Sequence, residues 1–271
     1  MHITQPAFEQ HVPSFRDSQP NTFEAILPTI ESYLDKARTA IRVPPSFEQQ
    51  HADLLESYIY RSAAYEALPS LDLILTDSGF AVVSNQNLAP ASRERVAALR
   101  ESLRQQASNA RDILLINLCQ DTEWRETEQC RQLRNTLLWC AMIARRHGLT
   151  APDGRELYAQ EHGAIYPSIL AANESCTQLI SDEQMQYLLR HQDDPNEQPE
   201  IKILTEHCRR YIAAAAKGNK SAQHLLGTQI QRFINNNEEA LTAYRNSSLY
   251  RANHAPRYEN QKDDPTFFFG C

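Results

Sequence analysis

Glycine is scarce in this sequence: seven residues in 271, about 2.6% against a typical usage near 7%. Neither G-x-x-x-x-G-K-[ST] nor G-x-G-x-x-G occurs, so phosphate and dinucleotide cradles lack the residues that their turns require. The six cysteines (Cys119, Cys130, Cys140, Cys176, Cys208 and Cys271) include no C-x-x-C spacing, which removes the zinc-ribbon and dithiol-oxidoreductase patterns. Long apolar runs are missing too. Runs such as Tyr211 to Ala216 are far short of the roughly 18 residues of a membrane span, so no membrane partner is expected. The opening Met1-His-Ile-Thr-Gln-Pro6 has neither a basic nor an apolar stretch, so no secretory signal is expected. The sequence therefore reads as a chain that matures in a cytoplasm, its cysteines free and mostly buried. Lysine is the last shortage: five of the 27 basic residues, the other 22 being arginine. With 34 acidic residues the net charge is -7, which disfavours non-specific binding to nucleic acid. Arginine's planar, multidentate guanidinium favours fixed ion pairs and subunit contacts.

What the sequence does have is helical periodicity, and the expected fold class is mainly α: a helical bundle with a long antiparallel helix pair, one β-hairpin and extended N- and C-terminal arms. Residues 1–20 carry Pro6, Pro13 and Pro20 with few aliphatics and read as an extended arm. The helical body covers residues 21–246. A first helix runs to about Ile41, with Ile26, Ile30, Leu34 and Ala37 on one face and Pro44-Pro45 behind it. A second opens at Ser46 and stops before Pro69, with Leu55, Tyr58, Ser62 and Tyr65 at spacings of three and four. Ser92 caps a long helix with a stripe from Val96 to Leu118. Asp121 caps another through about Gly148, and the two are expected to pair as the antiparallel spine. Pro167 is expected as the first residue of a helix to about His191. Two further helices follow, about Glu200 to Ala216 and Lys220 to about Arg245, and residues 247–271 form an extended tail.

The one strand-like segment is a hairpin at about residues 71–84. Leu71-Asp-Leu-Ile-Leu-Thr76 and Phe80-Ala-Val-Val-Ser84 flank the turn Asp77-Ser78-Gly79. A lone two-stranded hairpin is marginal in water, so this one needs helices or strands from elsewhere to cover it. The residues expected to meet a partner are Leu73, Leu75, Phe80 and Val82 of the hairpin and Phe267, Phe268 and Phe269 of the tail. A triple phenylalanine in a polar tail requires a groove, on its own core or on a partner.

Chemistry is hard to find. Nine histidines include no H-E-x-x-H, and adjacent residues of a helix, as in Glu206-His207-Cys208, point about 100° apart and do not converge on one ion. G-x-S-x-G is absent. The carboxylate pairs Asp193-Asp194, Glu238-Glu239 and Asp263-Asp264 read as solvated loops and helix faces, because an acid/base pair needs burial to split its pKa values. No catalytic, cofactor or metal residue is assigned, and no cofactor is expected. Two alternatives are an enzyme whose site forms from scattered residues such as Glu161, His162 and His207, and a DNA-contacting regulatory protein using the arginines of the Arg93 to Arg111 helix.

The stretch from Tyr65 through Pro69-Ser-Leu-Asp-Leu-Ile-Leu-Thr-Asp-Ser-Gly-Phe-Ala-Val-Val-Ser-Asn-Gln-Asn87 to Val96, together with Asp264-Pro-Thr-Phe-Phe-Phe-Gly270, resembles an uncharacterised family of phage and prophage virion-assembly proteins, similar to head-tail connector (adaptor) proteins of tailed bacteriophages. The resemblance covers about 40 of the 271 positions. It implies a non-enzymatic virion protein of the neck, assembled in the host cytoplasm. It also implies a homo-oligomeric ring, usually a dodecamer, that binds the portal protein and other neck or tail proteins. DNA would then pass through the channel without sequence-specific binding. Cyclic rings use heterologous interfaces, for which a hairpin and terminal arms are suited.

Overall fold

The structure is a computed structural model that describes residues 3–15, 20–71, 73–76, 79–82 and 93–255, with the backbone alone for the hairpin. The fold is mainly α. The chain divides into two compact units, one of residues 1–170 with 193–195, the other of residues 171–192 with 196–271. The division falls inside a continuous helix, α9 (Ala159–Ile180), so no composition change marks it.

The first unit opens with α1 (Gln5–His11), where an extended arm is expected. Phe8, Val12 and Phe15 follow a spacing of four and three, a helical stripe, and all three are buried. Pro6 sits in the first turn, where a missing N–H costs nothing, and Thr4 caps the helix through the Ala7 N–H. Phe8 packs its ring edge-on against Tyr60, centroids 5.8 Å apart, while the Arg61 Nε donates to the His11 carbonyl at 3.3 Å. Three prolines in 20 residues point to an arm; aromatic burial overrides them.

Next come α2 (Pro20–Lys36), a π-helical turn over Ala37–Ile41, α3 (Pro45–Gln50) and α4 (Ala52–Leu71). The helix α4 continues past Pro69, its expected end. The strands β1 (Leu73–Thr76) and β2 (Gly79–Val82) then lead to the 26-residue α5 (Arg93–Leu118). The α5 stripe is buried at Leu103, Ala107, Ala110, Leu114 and Leu118. Its long partner is α4. Arg100 stacks over Tyr65 and Arg111 faces Tyr58, so the two helices run in opposite directions, with the hairpin as their connection.

The segment expected as the other half of the spine is instead three short helices, α6 (Thr122–Arg125), α7 (Glu128–Leu133) and α8 (Ala141–Arg146). Two caps divide the start: the Asp121 carboxylate accepts from the Trp124 N–H at 2.9 Å and the Thr127 hydroxyl from the Cys130 N–H at 3.2 Å. Farther on, Leu137, Leu138, Trp139, Cys140 and Ala141 are all buried. Five consecutive buried residues leave no solvent face, so an amphipathic helix cannot continue there. The Asp112 carboxylate, 1% exposed on α5, accepts from the Met142 N–H at 2.8 Å and so closes the start of α8.

The second unit holds the rest of α9, then α10 (Asp182–His191), α11 (Pro199–Ala216), α12 (Lys220–Asn236), α13 (Thr242–Arg245) and α14 (Ser248–Asn253). Pro167 lies inside α9 rather than at its start. The expected run to His191 is broken at Ser181, whose φ of 81° no helix contains and whose hydroxyl caps α10. The short turn at Gly218, φ 71°, folds α12 back on α11, pairing His207 with Phe233 and Tyr211 with Gly227. Residues 248–253, expected within the tail, are helical. Phe267, Phe268 and Phe269 lie outside the described residues.

Candidate functional site

The hairpin pairs Leu73 with Val82, Ile74 with Ala81, Leu75 with Phe80 and Thr76 with Gly79. Directly opposed residues of an antiparallel pair share a face, and faces alternate along each strand. Leu73, Leu75, Phe80 and Val82, singled out from the sequence, therefore occupy one face by register, with Ile74 and Ala81 on the other. Among the described residues the sheet has these two strands alone. Among those residues no further strand pairs with either outer edge, a template for another strand.

In the first unit, α2, α4, α5 and the start of α9 line an open cavity of about 240 Å³. Tyr33, Tyr58 and Tyr65 supply one wall, Arg104 and Arg111 another. The Tyr33 hydroxyl donates to Glu66 Oε2 at 2.7 Å, and burial together with that carboxylate holds its proton well above the ordinary tyrosine range. Arg104 is not a free cation. Its Nη1 reaches Glu161 at 2.8 Å and its Nη2 reaches Glu101 at 2.7 Å, which lowers the Glu101 carboxyl to about 2. The bidentate fork thus locks α5 to the start of α9. By spacing alone Tyr58, Ser62 and Tyr65 read as a core stripe. Only the fold shows that they line a cavity, because the arginines opposite them come from another helix.

The scattered residues of the enzyme alternative have structural partners. His162 is buried, its Nε2 lies 2.8 Å from the Leu138 carbonyl, and burial holds it below the ordinary histidine range. Glu161 is taken by Arg104. His207 packs at a tilt against Phe233 with centroids 5.5 Å apart. No group of three or more His, Cys, Asp or Glu among the described residues could hold a metal. Of the carboxylate pairs, Asp193-Asp194 departs from expectation. Asp193 bonds Arg134 Nη2 at 2.9 Å and Asp194 bonds Arg125 Nη1 at 3.0 Å, although the residues sit in a polar loop. Arg134, 3% exposed, also places Nη1 3.8 Å from Cys130 Sγ. Nothing in the sequence marks this cluster beyond the i, i+4 spacing of Cys130 and Arg134, since Asp193 is 59 residues away.

The model of a family of unknown function (DUF6712) matches residues 28–134, a stretch that runs from within α2 through α7 and contains the hairpin and most residues of the tyrosine-lined cavity. Among curated proteins no match is found. No solved structure matches the chain. Over residues 28–134 the chain is thus similar to a family whose own function is undefined.

Proposed function

We propose that the protein is a structural subunit of a tailed-phage virion, a head-tail connector whose hairpin joins neighbouring copies in a ring beneath the portal. The observation that carries this reading is the hairpin: two short strands that no other strand joins among the described residues, with four large apolar residues in register on one face. Water is a poor environment for such an element. A ring offers each copy a different surface of its neighbour, which covers both hairpin and arms without creating a closed pair. The α4–α5 pair that leads into the hairpin, joined by Arg100 over Tyr65 and Arg111 against Tyr58, supports the same role. The tail residues Phe267, Phe268 and Phe269 provide a second anchor, on the adjacent copy or on the portal.

Light scattering coupled to size exclusion tests the proposal. The expected species is near twelve times the 31.0 kDa chain mass, alone or once portal protein is added. Replacing Leu75 and Phe80 by Asp is expected to shift that species to monomer with unchanged helix content. A protein that stays monomeric in both conditions and is not captured by portal overturns the reading. Deleting Thr266 to Cys271 is expected to weaken assembly, and unchanged assembly removes the anchor role of the phenylalanines.

A further inference from the structure

The strongest unassigned arrangement is the thiol cluster of the first unit. Cys119 lies just beyond the end of α5, and Cys130 is the third residue of α7. The caps at Asp121 and Thr127 turn the chain twice between them, so that the Cys119 S–H reaches the Cys130 sulfur. Both are buried, 1% and 2% exposed. Arg134 approaches Cys130 at 3.8 Å while held by Asp193 on its other nitrogen, and Arg125, held by Asp194, adds positive charge nearby. One sulfur therefore faces a guanidinium and a thiol donor, and the other supplies that donor.

We propose that Cys119 and Cys130 are a hydroperoxide-sensitive dithiol, with Cys130 the attacking sulfur and Cys119 the resolving one. The Cys130 thiolate attacks an oxygen of hydrogen peroxide. The O–O bond breaks, an S–O bond forms, and the released hydroxide takes a proton to leave as water. The Cys119 sulfur then attacks the Cys130 sulfenic acid. The S–S bond forms, the S–O bond breaks, and the hydroxide leaves as a second water with the Cys119 proton. Two thiols lose two electrons and one peroxide gains them. Burial selects the oxidant: hydrogen peroxide is little larger than water, whereas a bulky disulfide such as oxidised glutathione has no path to sulfurs this enclosed.

The electrostatics agree. The Cys119 donor and Arg134 hold the Cys130 thiol below the ordinary cysteine range, and contact with Cys130 pushes Cys119 above it. In the other unit Cys176 and Cys208 are fully buried and in contact, and that contact and burial push Cys208 well above the ordinary range. Burial likewise pushes Cys140 up to about 12. Thiolate character governs peroxide attack, so Cys140 and Cys208 should react after Cys130.

The test uses the full chain, titrated with hydrogen peroxide, quenched by alkylation, digested with trypsin and read by mass spectrometry. The expected result is a linked peptide pair joining Cys119 and Cys130 that accumulates before Cys140 or Cys208 is modified, with the same peroxide giving no link in Cys130→Ala. In Cys119→Ser the Cys130 sulfenic acid should persist and be trapped by dimedone once denaturant opens the protein. The linked pair is measured on the unaltered chain, so a variant that fails to fold leaves that measurement intact. Earlier oxidation of Cys140 or Cys208, oxidation of Cys119 and Cys130 without a link, or no oxidation of Cys130 in the folded protein would each overturn the proposal.

Discussion

At the scale of single residues, buried polar groups hold the first unit together. Asp112 loses hydration on α5 and recovers part of that loss from the Met142 N–H. Replacing it by Ala leaves that donor orphaned in the core, a loss of about 1–3 kcal/mol. Asp112→Asn keeps an acceptor and avoids burying a charge, so urea denaturation should show it losing less than half as much. The Arg104 fork carries a pH signature. Glu101 has a folded value of about 2 against an ordinary 4.5, so the unfolded chain binds the proton more tightly. Its stabilisation is present above about pH 4.5 and is lost as the pH falls towards 2. The carboxylate is half exposed, so the effect is a change of slope rather than a collapse. Glu101→Gln should flatten the dependence of Tm on pH across that window, and an unchanged slope would mean that the fork contributes nothing in solution.

At the scale of elements, legibility depends on how many faces of a segment are buried. The α5 stripe can be read because one face meets α4 and the other meets solvent. The α7–α8 segment cannot, since Leu137 to Ala141 pass through the core with every side enclosed and the period disappears. Residues 1–20 mislead for the opposite reason: prolines dominate the composition while three aromatic and aliphatic residues decide the structure. The hairpin and its register-sharing residues are visible because β-branched and large apolar residues alternate around a turn containing Gly79. The Cys130–Arg134–Asp193 cluster is not, since nothing local announces a contact across 59 residues. Element ends yield two stability predictions. Ser181 combines a strained φ of 81° with the cap of α10. Ser181→Ala keeps the strain and loses the cap, costing about 1 kcal/mol, whereas Ser181→Gly exchanges one for the other and should be near neutral. Gly227 sits inside α12 with room for a methyl group, the nearest atom being Tyr211 Cε2 at 3.5 Å. Gly227→Ala should therefore stabilise the second unit by up to about 1 kcal/mol, measurable as a higher Tm.

At the scale of the whole molecule, the family match falls within the first unit, which also holds the hairpin, the tyrosine-lined cavity and the Cys119–Cys130 cluster. The second unit is built on the α11–α12 hairpin with its own core of Leu204, Cys208, Ile212 and Ile230. The proposed ring contact thus belongs to the first unit. The hairpin substitutions should abolish assembly while the melting of the second unit stays as it was.

Both tryptophans of the chain, Trp124 and Trp139, are buried and belong to the first unit, and the Trp124 indole N–H is held by the Ile41 carbonyl at 2.9 Å. Intrinsic emission from those indoles therefore reports on that unit alone, whereas far-ultraviolet dichroism sums the helices of both. Superimposable denaturation curves from the two signals would mean that the units unfold as one cooperative body, and displaced curves would give each its own free energy without cutting the chain.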